Sequence, residues 1–93
     1  SASRAFANKK LRVNAVCPGF IDTPWFGKGM PEERVARLRE NAAATTPLKA
    51  ASTAEDIAAS AVFLASPYSR HVTGETLLVD AGSHLGMASL SMR

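Results

Sequence analysis

Residues with chemical potential gather in two neighbouring stretches of the chain. The first, Pro18-Gly19-Phe20-Ile21-Asp22-Thr23, follows directly on the apolar run Leu11-Arg12-Val13-Asn14-Ala15-Val16-Cys17. A proline–glycine pair ends a strand, and ligands in open α/β sheets bind beyond the carboxyl ends of parallel strands. By residue type alone the stretch also reads as an ordinary strand-ending turn, with Asp22 or Thr23 capping locally. The second stretch carries Trp25, Phe26 and Met30, three bulky groups in a glycine-punctuated loop. By type they are core residues or an exposed patch. Gly27-Lys28-Gly29 is half of a G-x-G-x-x-G fingerprint, but Glu32 holds the third place and no strand leads into it, so it is set aside.

Other reactive types are scattered. Cys17 is the only cysteine, which excludes an internal disulfide and C-x-x-C metal sites and fits a reducing, cytoplasmic compartment. Inside a strand it reads as a small buried hydrophobe. His71 and His84 lack an Asp or Cys partner at ligand spacing, so no metal is expected. Asn14, in a buried strand, requires a structural hydrogen bond. Asp80 caps or anchors a strand end and has no paired carboxylate for acid–base work.

The elements that position these residues follow from pattern. Residues 2–8 read as the end of a helix with Asn8 as its stop. Leu11 to Cys17 alternates Leu11, Val13, Ala15 and Cys17 on one face, with Val16 on the other; this predicts a strand buried on both faces. Pro31-Glu32-Glu33 opens a helix, with proline in the first helical position and acids at its positive end. Val35, Leu38 and Ala42 form its stripe, Glu33 and Arg37 pair four apart, and Thr45-Thr46-Pro47 ends it. Ser52-Thr53-Ala54-Glu55 reads as a capping box that starts an alanine-rich helix over Glu55 to Ala65, stopped by Ser66-Pro67. Thr76-Leu77-Leu78-Val79 predicts a second buried strand, closed by Asp80-Ala81-Gly82, and residues 83–93 form a tail without period. Strand, helix, strand implies a parallel pair joined by a crossover. Two parallel strands cannot have both faces covered by about two helices, so the expectation is the edge of a larger doubly wound sheet.

Composition narrows the function classes. With 46% hydrophobic and 20% charged residues the chain is globular rather than disordered. No apolar run approaches the ~20 residues of a membrane span, and Ser1 to Phe6 has no apolar signal region, so neither membrane nor secretion is expected. The net charge of +3 is concentrated in residues 1–40, where eight Lys/Arg face four Asp/Glu. Those charges flank a strand or intermix along a helix, a solvated surface rather than a nucleic-acid footprint.

The pattern Leu11-Arg12-Val13-Asn14-Ala15-Val16-Cys17-Pro18-Gly19-Phe20-Ile21-Asp22-Thr23-Pro24 resembles the sixth strand and following loop of the classical short-chain dehydrogenase/reductases. Thr46-Pro47-Leu48, Glu55-Asp56-Ile57-Ala58 and Phe63-Leu64-Ala65-Ser66 are similar to the family's next segment, and Val72-Thr73-Gly74 through Val79-Asp80-Ala81-Gly82 to its closing motif. Ala81 stands where one of two closing glycines is usual, and Lys49-Ala50 replaces a common arginine pattern. The motifs run in register from Leu11 to Gly82.

The resemblance implies an α/β fold: the C-terminal part of a Rossmann-like doubly wound parallel sheet, with residues 1–93 as the last segment of one dehydrogenase domain. It implies an NAD- or NADP-dependent oxidoreductase that interconverts an alcohol with a ketone or aldehyde, on a small carbonyl or alcohol substrate of the 3-oxoacyl-thioester, sugar or simple-alcohol type. Pro18, Gly19, Ile21 and Thr23 would border the nicotinamide, the Ile21 backbone and the Thr23 hydroxyl bonding its carboxamide. Trp25, Phe26 and Met30 would belong to the substrate lid, and the 55–65 helix with the 76–79 strand would form the interface of a homo-dimer or homo-tetramer. No catalytic residue of the family falls on this sequence: its only tyrosine, Tyr68, is followed four positions on by Val72 rather than lysine, so these residues alone are expected to be inactive. The alternative is a non-catalytic fragment or truncated paralogue that acts by joining a full-length partner.

Overall fold

Three helices and two short strands form the regular structure of the computed structural model, which describes residues 1–86. In chain order they are α1 (Ala2–Phe6), β1 (Ala15–Pro18), α2 (Glu32–Thr45), α3 (Ala54–Ala65) and β2 (Thr76–Val79). The two strands pair in parallel, Ala15 opposite Thr76 and Pro18 opposite Val79, with both α2 and α3 in the connection. The expected parallel pair is therefore present.

β1 is shorter than the apolar run that announced it. Leu11 to Asn14 lies outside the ladder because side chains take the ladder's place there. The Val13 N–H donates to Thr73 Oγ1 at 3.1 Å. Asn14 donates from Nδ2 to the Val72 carbonyl at 2.9 Å and accepts the Glu75 N–H on Oδ1 at 3.0 Å. The structural bond expected of Asn14 is thus a two-sided bridge that sets the register at which β2 enters. Arg12, read from sequence as a solvated strand flank, instead reaches the C-terminal end of α3. Its guanidinium donates to the carbonyls of Leu64 at 2.9 Å and Val72 at 3.0 Å, and to Ser69 Oγ at 3.1 Å. A cation on the last carbonyls of a helix satisfies acceptors that the helix leaves open and complements its dipole.

The start of α3 is shifted by one residue from the expected capping box. Thr53, not Ser52, is the N-cap: its Oγ1 accepts the Asp56 N–H, and Asp56 Oδ2 accepts the Thr53 N–H at 2.8 Å. Ser52 is unavailable because it is buried and its carbonyl accepts the Asp22 N–H at 2.9 Å, in a parallel bridge with Ile21. Likewise Pro31 is the N-cap of α2 rather than its first residue. At the other end Lys49 Nζ donates to the Ala44 carbonyl at 3.0 Å, supplying the positive charge that the last turn lacks. The helix over 2–8 ends earlier than Asn8: α1 stops at Phe6, a 3₁₀ turn covers Ala7–Lys9, and Lys10 with φ 60° reverses the chain. The expected tail begins with a 3₁₀ turn, Ser83–Leu85, and its remainder, 87–93, lies outside the described residues.

The strands were read as needing cover on two faces that these elements could not supply, and Ala15, Cys17 and Pro18 of β1 and Thr76 to Leu78 of β2 are exposed. Among the described residues Ala44 is the one buried apolar residue, and Val62 and Phe63 of α3 stand 66% and 44% exposed. The radius of gyration, 16.5 Å, exceeds the roughly 12 Å of a compact domain of this length. α3 lies against both strands, with Ala61, Leu64 and Val16 lining an open space between them.

Candidate functional site

Parallel strands deliver their C-terminal ends to one edge, and there the chain turns sharply. The Gly19 N–H donates to the Val79 carbonyl at 3.1 Å, extending the ladder one step past β1. Gly19 then lies so close to β2 that a Cβ on it would stand 2.7 Å from the Asp80 Cβ. Its φ is not in the left-handed region, so glycine is required here for close approach rather than for backbone freedom.

Beyond Gly19 the loop is pinned from two sides. On one side it bridges to Ser52 at Ile21, with the bond carried by the Asp22 N–H. In a parallel bridge the neighbours of the bridging residue do the pairing, so the N–H and C=O of Ile21 itself face away from Ser52. On the other side Asp22 Oδ1 accepts from Arg39 Nε of α2 at 2.8 Å. Successive tight turns follow: the Phe26 N–H donates to the Thr23 carbonyl at 3.0 Å and the Met30 N–H to the Gly27 carbonyl at 2.8 Å. Gly27, with φ 78°, lets Val35 of α2 pack where a side chain would sit.

Between this loop and α2 lies an open cleft of about 640 Å³, lined by Asp22, Thr23, Phe26 and Met30 of the loop and by Val35 and Arg39 of the helix. Three of the residues singled out from sequence thus share one cavity. Pro18, Gly19 and Ile21 are not in its lining; they form the strand end and bridge that carry Thr23 to it. Phe26 is held edge-on to Phe20, ring centroids 4.7 Å apart. Trp25 does not join the cleft: it is 78% exposed, with Lys28 Nζ 5.7 Å from its ring centroid. Asp22 was read from sequence as a local cap and Arg39 as a solvated helix charge; their pairing was missed, since an opposite-charge pair separated by a loop and half a helix has no periodic signature.

Asp80, at the end of β2 beside Gly19, accepts the N–H groups of Gly82 and His84 at 3.0 Å each, the anchoring role expected of it. It also meets His84 Nδ1 at 3.0 Å, so His84 has an Asp partner four residues back where none was expected. The His84 ring is the foremost influence holding the Asp80 carboxyl below its ordinary value; the backbone donors act the same way and desolvation opposes them. Cys17 is exposed rather than the buried hydrophobe expected. Among the described residues no three His, Cys, Asp or Glu side chains gather as a metal site, and no helix is long and apolar enough to cross a membrane.

The segment is α/β, with two parallel strands that end at a pinned loop beside a cleft, and in open α/β sheets ligands bind beyond such strand ends. A family model described as enoyl-(acyl carrier protein) reductase matches residues 1–84. The chain is 39% identical over 80 residues to the 3-oxoacyl-[acyl-carrier-protein] reductase FabG of Thermotoga maritima, covering 86% of this chain and 30% of that protein. Among solved structures it is similar to Cj0485 dehydrogenase, at 36% identity and TM-score 0.77 over 87% of this chain and 32% of that one. It is also similar to YwfH, an NADPH-dependent reductase involved in bacilysin biosynthesis, at 34% identity and TM-score 0.75 over 88% of this chain and 33% of that one. The chain belongs to the short-chain dehydrogenase/reductase family, and its fold is part of a Rossmann-like α/β sheet. It spans about 30% of the length of FabG from Thermotoga maritima.

Proposed function

We propose that these residues are the C-terminal part of an NAD- or NADP-dependent oxidoreductase that interconverts an alcohol with a ketone or aldehyde. The observation that carries this reading is the placement of Ile21 and Thr23. Ile21 has its backbone N–H and C=O turned away from Ser52, and Thr23 stands two residues on, at the cleft beyond the strand ends. A nicotinamide carboxamide requires an acceptor for its NH₂ and a donor for its oxygen, and one backbone residue plus a hydroxyl offers both. The chemistry of the pinned loop therefore fits that group. When bound, the cofactor would supply the hydride transfer.

The chain's own residues have separate tasks. Gly19 lets the loop lie against β2, the Ile21 backbone and Thr23 hydroxyl orient the carboxamide, and Phe26 and Met30 shield the cleft from water. Trp25, projecting from the same loop, would meet a small carbonyl or alcohol substrate or the rim of the closed lid. The uncovered sheet faces would be covered by the rest of the domain. The exposed Val62 and Phe63 of α3 would support a homo-oligomeric contact through the 55–65 helix and the 76–79 strand. Similarity to reductases of 3-oxoacyl thioesters supports that substrate class. A reducing, cytoplasmic setting suits the single cysteine.

The test is Thr23→Ala in the complete enzyme. Losing one hydrogen bond of about 0.5–1.5 kcal/mol should raise the cofactor's Michaelis constant roughly two- to tenfold and leave that of the substrate in place. An unchanged cofactor dependence would remove Thr23 from the nicotinamide site.

A further inference from the structure

We infer that Arg39 is a positioning residue, which through Asp22 fixes the loop that receives the nicotinamide end of the cofactor and ties that loop to α2. The inference rests on the reading of Ile21 and Thr23 just given, and adds to it a group seventeen residues away on another element.

The geometry is specific. Asp22 lies between Ile21 and Thr23, so any movement of its backbone moves both. Its N–H is spent on the Ser52 carbonyl at 2.9 Å and its carboxylate on Arg39 Nε at 2.8 Å, which anchors the residue from opposite sides. The Ser52 anchor belongs to the segment leading into α3, whereas the Arg39 anchor belongs to α2. Arg39 lies in the middle of α2, and a contact there transmits the position of the whole helix. Gly27 packing on Val35, one turn earlier, supplies a second, apolar contact along the same side. The pair is half-exposed, with side-chain accessibilities of 44% and 32%. Such a pair contributes little to overall stability and can break and re-form when a helix swings. It therefore suits a latch better than a structural brace: α2 cannot lift from the cleft without either releasing Asp22 or drawing Thr23 with it.

The experiment uses the complete enzyme carrying Arg39→Met, Asp22→Asn, Arg39→Lys, or the exchanged pair Asp22→Arg with Arg39→Asp. NADH and NADPH are titrated in turn, each beside its nicotinamide-free counterpart, ADP-ribose or 2′-phospho-ADP-ribose. Arg39→Met and Asp22→Asn are expected to weaken binding of the nicotinamide-bearing form roughly three- to tenfold, while the nicotinamide-free form binds as to the unaltered enzyme. Arg39→Lys and the exchanged pair are expected to recover part of the loss. A merely structural role would weaken both ligand forms equally, and that result overturns the inference. Unchanged affinity of Arg39→Met for both forms overturns it too. If Thr23→Ala weakens the nicotinamide-bearing form while Arg39→Met does not, the latch fails and the nicotinamide reading stands. If neither variant discriminates between the two forms, both fail.

Discussion

Replacing Gly19 by alanine would test the link between the strand pair and the candidate site. The added Cβ would stand 2.7 Å from the Asp80 Cβ and 3.0 Å from its Cα, against 3.4 Å where ordinary contact begins. One of the obstructing atoms is backbone, so no side-chain rotation relieves the clash. The end of β1 must move away from β2 by about 0.7 Å, stretching the 3.1 Å bond from the Gly19 N–H to the Val79 carbonyl. Overpacking of this kind costs about 1–3 kcal/mol. The displacement is inherited by Ile21 and Thr23. Weakening two carboxamide bonds of about 0.5–1.5 kcal/mol each should raise the cofactor's Michaelis constant roughly five- to hundredfold. Urea denaturation and steady-state kinetics of the complete enzyme read the two effects separately. Gly29→Ala is the control: no atom lies within 4 Å of its Cβ, though φ is 85°, so it should lose about 1 kcal/mol through backbone strain without touching cofactor affinity. Wild-type stability and kinetics in Gly19→Ala would refute the close approach.

Three further outcomes are expected. Ala81, at φ 55°, occupies backbone space that suits glycine; Ala81→Gly should stabilise the protein by about 0.5–1 kcal/mol, and a lower melting temperature would contradict this. Trp25→Ala should change stability by under about 0.5 kcal/mol because the side chain is 78% exposed, whereas Phe26→Ala should cost more through its edge contact with Phe20; thermal melts of the two variants check the order. The Asp56 carboxyl is held below its usual 3.8, first by the Thr53 N–H and then by the Thr53 hydroxyl. Its capping contribution is therefore present above pH 3.8 and is lost as pH falls through the lower folded value; carbon-13 titration should show that low midpoint, and Thr53→Val should raise it.

Much of the fold was legible because it depends on local pattern. Thr76 to Val79 stands where the apolar run placed it, since few polar side chains there compete for the backbone. The run at Leu11 was misread in extent because Asn14 and Thr73 take over ladder positions from far along the chain, a substitution that periodicity does not register. Ser52 and Thr53 were equally good caps by type; a bridge to Ile21 decided between them. In the candidate site, the stretch from Pro18 to Thr23 was visible as a strand end, and Phe26 and Met30 as bulky loop residues. Arg39 was hidden among other helix charges, because only the tertiary fold brings α2 over the loop. Which segment covers the two strands was not legible in their own residues: apolar composition records what a strand needs against it, not what supplies it.

The pairing of β1 with β2 has a consequence for the time course of synthesis. Arg12 and Asn14 find Val72 across 60 and 58 intervening steps of chain, and Ala15 pairs with Thr76. At a translation rate of about 5–20 residues per second, β1 waits some 3–12 seconds after its own synthesis before β2 exists. Throughout that interval its apolar side chains and the Arg12 guanidinium lack the partners they have here. The nascent chain thus passes through a window in which a chaperone, or a neighbouring nascent chain, competes for the same edge, and codon choice between Pro18 and Thr76 would set its length.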